Sequence, residues 1–523
     1  MAGPQSVEKQ DGVTSAERFL ARLGTKSFLS LWSYPGVYRD QGKRGNGDGK
    51  EICDLLVVFG DDVILFSDKD CRFPSSGNLD LDWARWFRRA VFNSAAQVWG
   101  AERWLRENPD RVFVDRRCAQ RLPVPLPDST RLRVHRIVIA HDAARRCREL
   151  LGGSGSLVIF PALTGDAHVA GPVTFPGSEG NIIYDTWANS FCEPAGYSKT
   201  VLPFAVGDLD PAKGFVHVFD DTGLDVVMRE LDTASDFVAY LRDREAFIRS
   251  GRLVMASGED DLLAHYLSEV GGHANRSFYL PDDPEVKVAI PEGEWNLLRN
   301  DAAWTARKQA DKISYTWDKV IERFNVGILD GTSAAYPVAD FQTQELAVRV
   351  MARETRFHRR ILATALGDFL RTDRHLAIAA RVVAPIRPAS PHYVFLAVRP
   401  DADEEYRHYR ERRWVICQTY LVEARRTLPG AKEVVVLATE SPGWSKWATE
   451  DVMYRGVEPL TPDEVESVRE YAEAQGVLTK LGETVRFQAL EYPATRHAPT
   501  RPPAPTAGRQ RSARNSPCPC NSG

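Results

Sequence analysis

Along the first 150 residues the spacing of apolar positions changes several times, and each change marks an element. Residues 14–32, TSAERFLARLGTKSFLSLW, place apolar residues at helical spacing behind Ser/Thr cap candidates and predict a helix. The turn-rich QGKRGNGDGK of 41–50 predicts an exposed loop. Two short apolar runs, Leu55 to Phe59 and Val63 to Phe66, joined at Gly60-Asp61, predict a β-hairpin. Residues 79–108 predict one long amphipathic helix rich in tryptophan and arginine, and residues 111–115 and 131–140 predict strands. The order helix, strand, strand, helix, strand is that of a compact α/β unit.

Beyond residue 150 the pattern is coarser. Strands are expected at 156–160 and 215–221, helices at 234–249 and 259–269, and a long helix from Phe341 to Leu370. Residues 392–400, 402–427 and 433–439 read as strand, charged helix and strand, a βαβ-like unit. After Glu491 the chain contains no acidic residue and is rich in Pro, Arg and Ala, the composition of a disordered tail. The expected architecture is multidomain α/β. It comprises an N-terminal domain over 1–150, a mixed middle region over 151–385, a βαβ-like domain over 386–490, and a tail over 491–523.

Composition narrows the function classes. A chain of 523 residues with 43% hydrophobic and 26% charged residues has the makings of sizeable soluble cores. Its net charge of −4 gives no global attraction to a polyanion, so nucleic-acid binding requires local patches. No apolar run approaches membrane-spanning length, and the first residues lack a secretory apolar region. Eight cysteines, mostly scattered, fit a reducing cytoplasm better than a disulfide framework.

The hairpin carries the candidate chemistry. Strand period 2 puts Val63, Leu65, Ser67 and Lys69 on one face and Ile64, Phe66 and Asp68 on the other. Asp54 lies at the start of the partner strand. A carboxylate that holds Mg²⁺ beside a lysine suits phosphodiester hydrolysis. The plainer reading is a hairpin whose Asp54 caps a turn and whose 67–70 end is solvated.

The run Glu51-Ile52-Cys53-Asp54, followed by a second strand ending Ser67-Asp68-Lys69, resembles the PD-(D/E)XK, or restriction-endonuclease-like, nucleases. The resemblance covers roughly residues 14–140. It implies a nuclease-like α/β core in which Asp54 holds Mg²⁺ or Mn²⁺, Glu17 of the preceding helix or Glu51 assists, and Lys69 stabilises the transition state. Gln97 falls where many such nucleases carry a polar residue facing the site. One departure stands out: the family places an acid two residues before the lysine, where this chain has Ser67. A hydroxyl ligates metal more weakly than a carboxylate. The resemblance therefore implies either a metal-dependent nuclease, in restriction, defence or repair, or an inactive nuclease fold that binds nucleic acid or protein. In the 79–108 helix, Trp83, Trp86, Trp99, Arg85, Arg88 and Arg89 suit a stacking and phosphate-binding surface if exposed, and a core with a solvated face if not.

The chain ends RNSPCPCNSG. Asn515, Pro517, Cys518, Pro519, Cys520, Ser522 and Gly523 resemble the first half of the zinc-binding SEC-C motif. Cys518 and Cys520 supply two of the four ligands that Zn²⁺ ordinarily takes. The resemblance implies a half site and a possible protein-interaction role for the tail. Elsewhere, GGSGS at 152–156 reads as a turn. His135, His141 and His217 lack metal-ligand spacing, Asp220-Asp221 reads as a strand-end turn, and no phosphate-binding loop or hydrolase nucleophile motif occurs.

Overall fold

The computed structural model describes residues 6, 7, 9, 12, 14–43, 45, 47–170, 201–268, 276–332, 339–372, 376–479 and 489–493. The expected disordered tail, with Cys518 and Cys520, lies outside them apart from its first three residues.

Helix α1 (Ser15–Phe28) begins with a capping box: the Thr14 hydroxyl accepts the Glu17 N–H, and the Glu17 carboxylate accepts the Thr14 N–H. These bonds satisfy donors that the first helical turn leaves orphaned. Thr14→Ala should cost about 1 kcal/mol, read as a lowered thermal midpoint with unchanged secondary structure.

The helix ends at Phe28, short of the expected 32, and a strand the apolar pattern missed follows directly: β1 (Ser33–Arg39), SYPGVYR. Its Pro35 and Gly36 argue against a strand when read locally. The segment is nonetheless a sheet edge, paired antiparallel to β2 (Lys50–Phe59) with a register shift at Val37/Tyr38. The hairpin forms as expected, β2 pairing antiparallel with β3 (Asp62–Lys69) around Gly60, whose φ of 63° suits glycine.

The 79–108 helix is α2 (Leu79–Phe87), a π-helical turn over Arg88–Phe92, and α3 (Asn93–Glu107). Its Trp83 and Trp86 are fully buried, stack on each other and pack at tilted angles against Phe73, Phe87 and Phe204; their indole N–H groups donate to backbone carbonyls of His168, Cys71 and His141. Trp99, half-buried, donates to Gly214 O. The tryptophans belong to the core and its margin, which removes the stacking surface; Arg85, Arg88 and Arg89 remain exposed. The expected strand at 111–115 is not one: Phe113 makes only isolated bridges to Tyr38 and Arg121. Strand β4 (Arg133–Ala140) then pairs parallel to β3.

The sheet order is β1-β2-β3-β4-β7, its last strand being β7 (Val216–Asp220), parallel to β4. The sheet thus takes a strand from beyond residue 150, where the N-terminal domain was expected to end. Helices cover both faces: Phe28 of α1 meets Phe66, while α3 lies over the face of Ser67.

A second sheet joins β5 (Val158–Thr164), β6 (Ala205–Asp208), β8 (Leu253–Ala256) and β9 (Val288–Ile290) in the order β6-β5-β8-β9. A third joins β10 (Ile378–Val383), β11 (His392–Val398), β12 (Val434–Glu440) and β13 (Glu450–Arg455). Strands β11 and β12 are parallel and are linked by the helix Tyr406–Thr427, the βαβ unit read from the sequence. The helical stretch from Phe341 is two helices, Phe341–Ala352 and Arg356–Thr372. Asp220 is an N-cap, accepting the Gly223 N–H, and Gly152, Gly153 and Gly155 take positive φ in the expected turn. The five described cysteines are all free. Among the described residues no helix is long and apolar enough to cross a membrane. The described residues form a mixed α/β fold with three sheets.

Candidate functional site

The hairpin register fixes which side chains meet. Leu56 opposes Leu65, so the alternation of each strand puts Asp54, Ser67 and Lys69 on one face. Asp54 sits in the middle of β2, with its edges toward the outer half of β3: its Oδ2 accepts the Asp68 N–H at 2.7 Å. The expectation that Asp54 opens its strand is corrected by this, because pairing with β1 extends β2 back to Lys50.

Asp54 is the most perturbed carboxyl of this group. Burial raises it from 3.8 to about 7; the Asp68 N–H bond opposes that rise, and the charges of Glu51, Asp68 and Glu17 add to it. Glu51 is raised as well, by desolvation first and then by Glu17, against the pull of Arg116 and Lys69. Asp54, Glu51 and Glu17 therefore lie within electrostatic reach of one another, with Lys69 on their border. Glu17 is at the same time the capping-box acid of α1.

Ser67 is buried and its hydroxyl donates to Gln97 Oε1 at 3.4 Å, so α3 delivers a polar side chain to this face, as the resemblance implied. Asp68 turns to the other face, where its Oδ1 lies 2.5 Å from His141 Nε2. That bond, ahead of the opposing effect of burial, raises the His141 imidazole. Asp68 therefore does not substitute for the missing acid at Ser67. Lys69 is exposed at the strand's end, in register with Ala140.

His141 was passed over in the sequence because it has no ligand spacing. The available signal was its place one residue after β4, which the parallel register sets beside the end of β3. His135 and His217 are core groups: His135 bonds Asp62 at 2.9 Å, and His217 lies 3.4 Å from Arg244.

The raised Asp54 has a measurable consequence. Its native-state pKa exceeds the ordinary value, so its contribution to stability is fully present below about pH 4 and is lost as pH rises through about 7. Asp54→Asn should remove that loss. Thermal melts of both proteins from pH 4 to 8 should show the variant gaining on the wild type, by at most about 1.4 kcal/mol per pH unit. A constant difference across the range would contradict the assignment.

In kind, the donors suit a hard divalent cation, since all are oxygens. Among the described residues no group of three or more His, Cys, Asp or Glu side chains is gathered closely enough to hold a metal ion. The site is a carboxylate-rich strand edge bordered by a lysine within a mixed α/β fold. No protein-family model, curated protein or solved structure matches the chain.

Proposed function

We propose that this edge is a metal-dependent phosphodiesterase site of restriction-endonuclease-like type, acting on nucleic acid. One observation carries the reading: Asp54, Ser67 and Lys69 share a sheet face, with Glu51 and Glu17 in electrostatic reach of Asp54. The element order supports it: a helix, three antiparallel strands, a helix, and a fourth strand parallel to the third.

Asp54, assisted by Glu51 or Glu17, would hold Mg²⁺ or Mn²⁺. Mg²⁺ is commonly bound through only one or two carboxylates, its remaining positions filled by water and substrate phosphates. Once bound, the ion supplies charge neutralisation at the phosphate and an acidified water. The chain's own groups do the rest. Lys69 offers its ammonium to the charge that builds on the phosphate. Asp54, near neutrality in its proton affinity, loses its proton readily when a cation arrives. Gln97 fixes the Ser67 hydroxyl and thereby the end of β3.

A second reading is favoured by Ser67 itself. With a buried hydroxyl in place of the family's acid and its bond taken by Gln97, the fold suits a non-catalytic protein that binds nucleic acid or a protein partner, its Cys518/Cys520 tail serving as adaptor. The deciding experiment incubates the full chain with supercoiled plasmid and with RNA, in Mg²⁺, Mn²⁺ or EDTA. Cutting with metal and none with EDTA is expected; no cutting under any condition, with retained binding, selects the second reading.

A further inference from the structure

A sizeable cavity lies away from the Asp54–Lys69 edge. It opens at the far end of the same hairpin, against the Gly60-Asp61 turn. The helices Ala234–Arg249, Phe341–Ala352 and Arg356–Thr372 and residues 489–492 contribute to its walls. At about 3.3 Å per residue, the length of β3 puts roughly 23 Å between that turn and Lys69. The cavity measures about 790 Å³, within the range of small-molecule sites.

Its walls are unusually cationic. Nine arginines line it against four carboxylates, Asp61, Asp62, Asp236 and Glu491, and those acids are already engaged. Asp62 bonds Arg133 at 2.8 Å and His135 at 2.9 Å. Asp236 accepts the Arg356 backbone N–H at 2.8 Å and the Thr233 hydroxyl at 2.7 Å. Glu491 is shared by two cations, Arg276 and Arg307, and the proximity of Arg307 adds to burial in lowering the affinity of the Arg276 guanidinium for its proton. Behind the wall Arg353 pairs with Glu433, Arg356 with Asp232 and Asp318, and Arg307 Nε lies 3.5 Å from Asp311; Arg353 and Arg387 each still keep a buried Nε with no hydrogen-bond partner among the described residues. Arg349 reaches Glu345 only at 3.4 Å, and that carboxylate already accepts the Trp32 N–H at 2.6 Å.

Guanidinium groups that keep donors beyond those used in their ion pairs, gathered around one cavity, favour an anion that meets several of them at once. Arginine's fork of donors matches phosphate oxygens. Tyr266, Phe357 and Tyr454 supply aromatic wall beside the arginines. A pocket of this size suits a small ligand, whereas a strand of nucleic acid is served by a continuous groove.

We propose that this cavity binds a small ligand carrying a polyphosphate, of nucleoside-triphosphate size. The proposal does not depend on the phosphodiesterase reading, since it concerns other residues at the other end of the hairpin.

Isothermal titration calorimetry on the full chain tests it, with inorganic tripolyphosphate, ATP and a single-stranded DNA oligonucleotide as probes. One saturable site for tripolyphosphate or ATP is expected, and Arg276→Gln/Arg349→Gln should raise its Kd about tenfold or more. Should that variant fail to fold, Arg242→Ala/Arg349→Ala, confined to an exposed and a half-buried arginine, carries the same expectation. ATP binding far tighter than tripolyphosphate assigns the aromatic wall to a base, and equal binding assigns recognition to the phosphates alone; both support the proposal. No saturable binding of either below about 1 mM, an unchanged Kd in a folded variant, or binding of the oligonucleotide alone overturns it.

Discussion

Lys69→Ala is expected to lower metal-dependent cleavage of plasmid or RNA by at least about 10²–10³-fold while leaving the thermal midpoint in place. The size follows from what the ammonium is asked to do: removing one preorganised group that stabilises charge in a transition state costs on the order of 10²–10³ in rate. The unchanged midpoint follows from position. Lys69 is exposed at the last residue of β3, and its charge reaches the carboxylate of Glu51. Substitutions at such surface sites usually stay within about 0.5 kcal/mol. Initial rates on both substrates, with Mg²⁺, Mn²⁺ and EDTA, provide the measurement, and matched melts show that the variant is folded. Cleavage by Lys69→Ala at the wild-type rate would remove Lys69 from the chemistry.

The largest stability effect is expected far from that edge. Arg244 is 2% exposed and its guanidinium grips Glu259, with Nη2 at 2.8 Å from Oε2 and Nε at 3.0 and 3.1 Å from the two carboxylate oxygens. The Tyr240 hydroxyl adds a third donor to the same carboxylate, and Arg244 lies over the Phe219 ring. This arrangement fastens the helix Ala234–Arg249 to the first turn of the helix Glu259–Ser268 and to β7. Arg244→Met keeps the volume of the aliphatic stem but leaves Glu259 charged, buried and short of its cation. A loss of about 3–5 kcal/mol is expected, because an uncompensated buried charge is costly. The double variant Arg244→Met/Glu259→Gln should recover part of that loss, since it removes the orphaned charge. Chemical denaturation of the three proteins gives the comparison. A double variant that is worse than the single one would mean that packing, and not charge, dominates the site.

These two expectations differ in how far they were readable from the chain. The hairpin around Gly60, the faces of β3 and the acid and lysine at its ends follow from period-2 alternation, which a single strand displays in its own sequence. The helix Ala234–Arg249 and the β11–helix–β12 unit were legible for the same reason: their apolar positions repeat locally. Strand β1 was hidden because Pro35 and Gly36 break local propensity, and only pairing with β2 makes it a strand. Residues 111–115 erred the other way, since strand-like composition finds no ladder there beyond isolated bridges at Phe113.

The candidate site divides along the same line. The sequence by itself determined that Ser67 and Lys69 share a face, that Asp68 does not, and that Ser67 stands where an acid would be expected. Only the tertiary structure decided which face of β2 meets them, that Asp54 is held near neutrality in its proton affinity by burial and surrounding carboxylates, and that His141 closes off Asp68. It alone also turned Trp83 and Trp86 inward and gathered arginines from well-separated stretches of the chain into one cavity. The physical reason is range. Alternation and capping act over a few residues and are written where they occur, whereas burial, charge coupling and cavity shape depend on segments that meet only after the chain has folded.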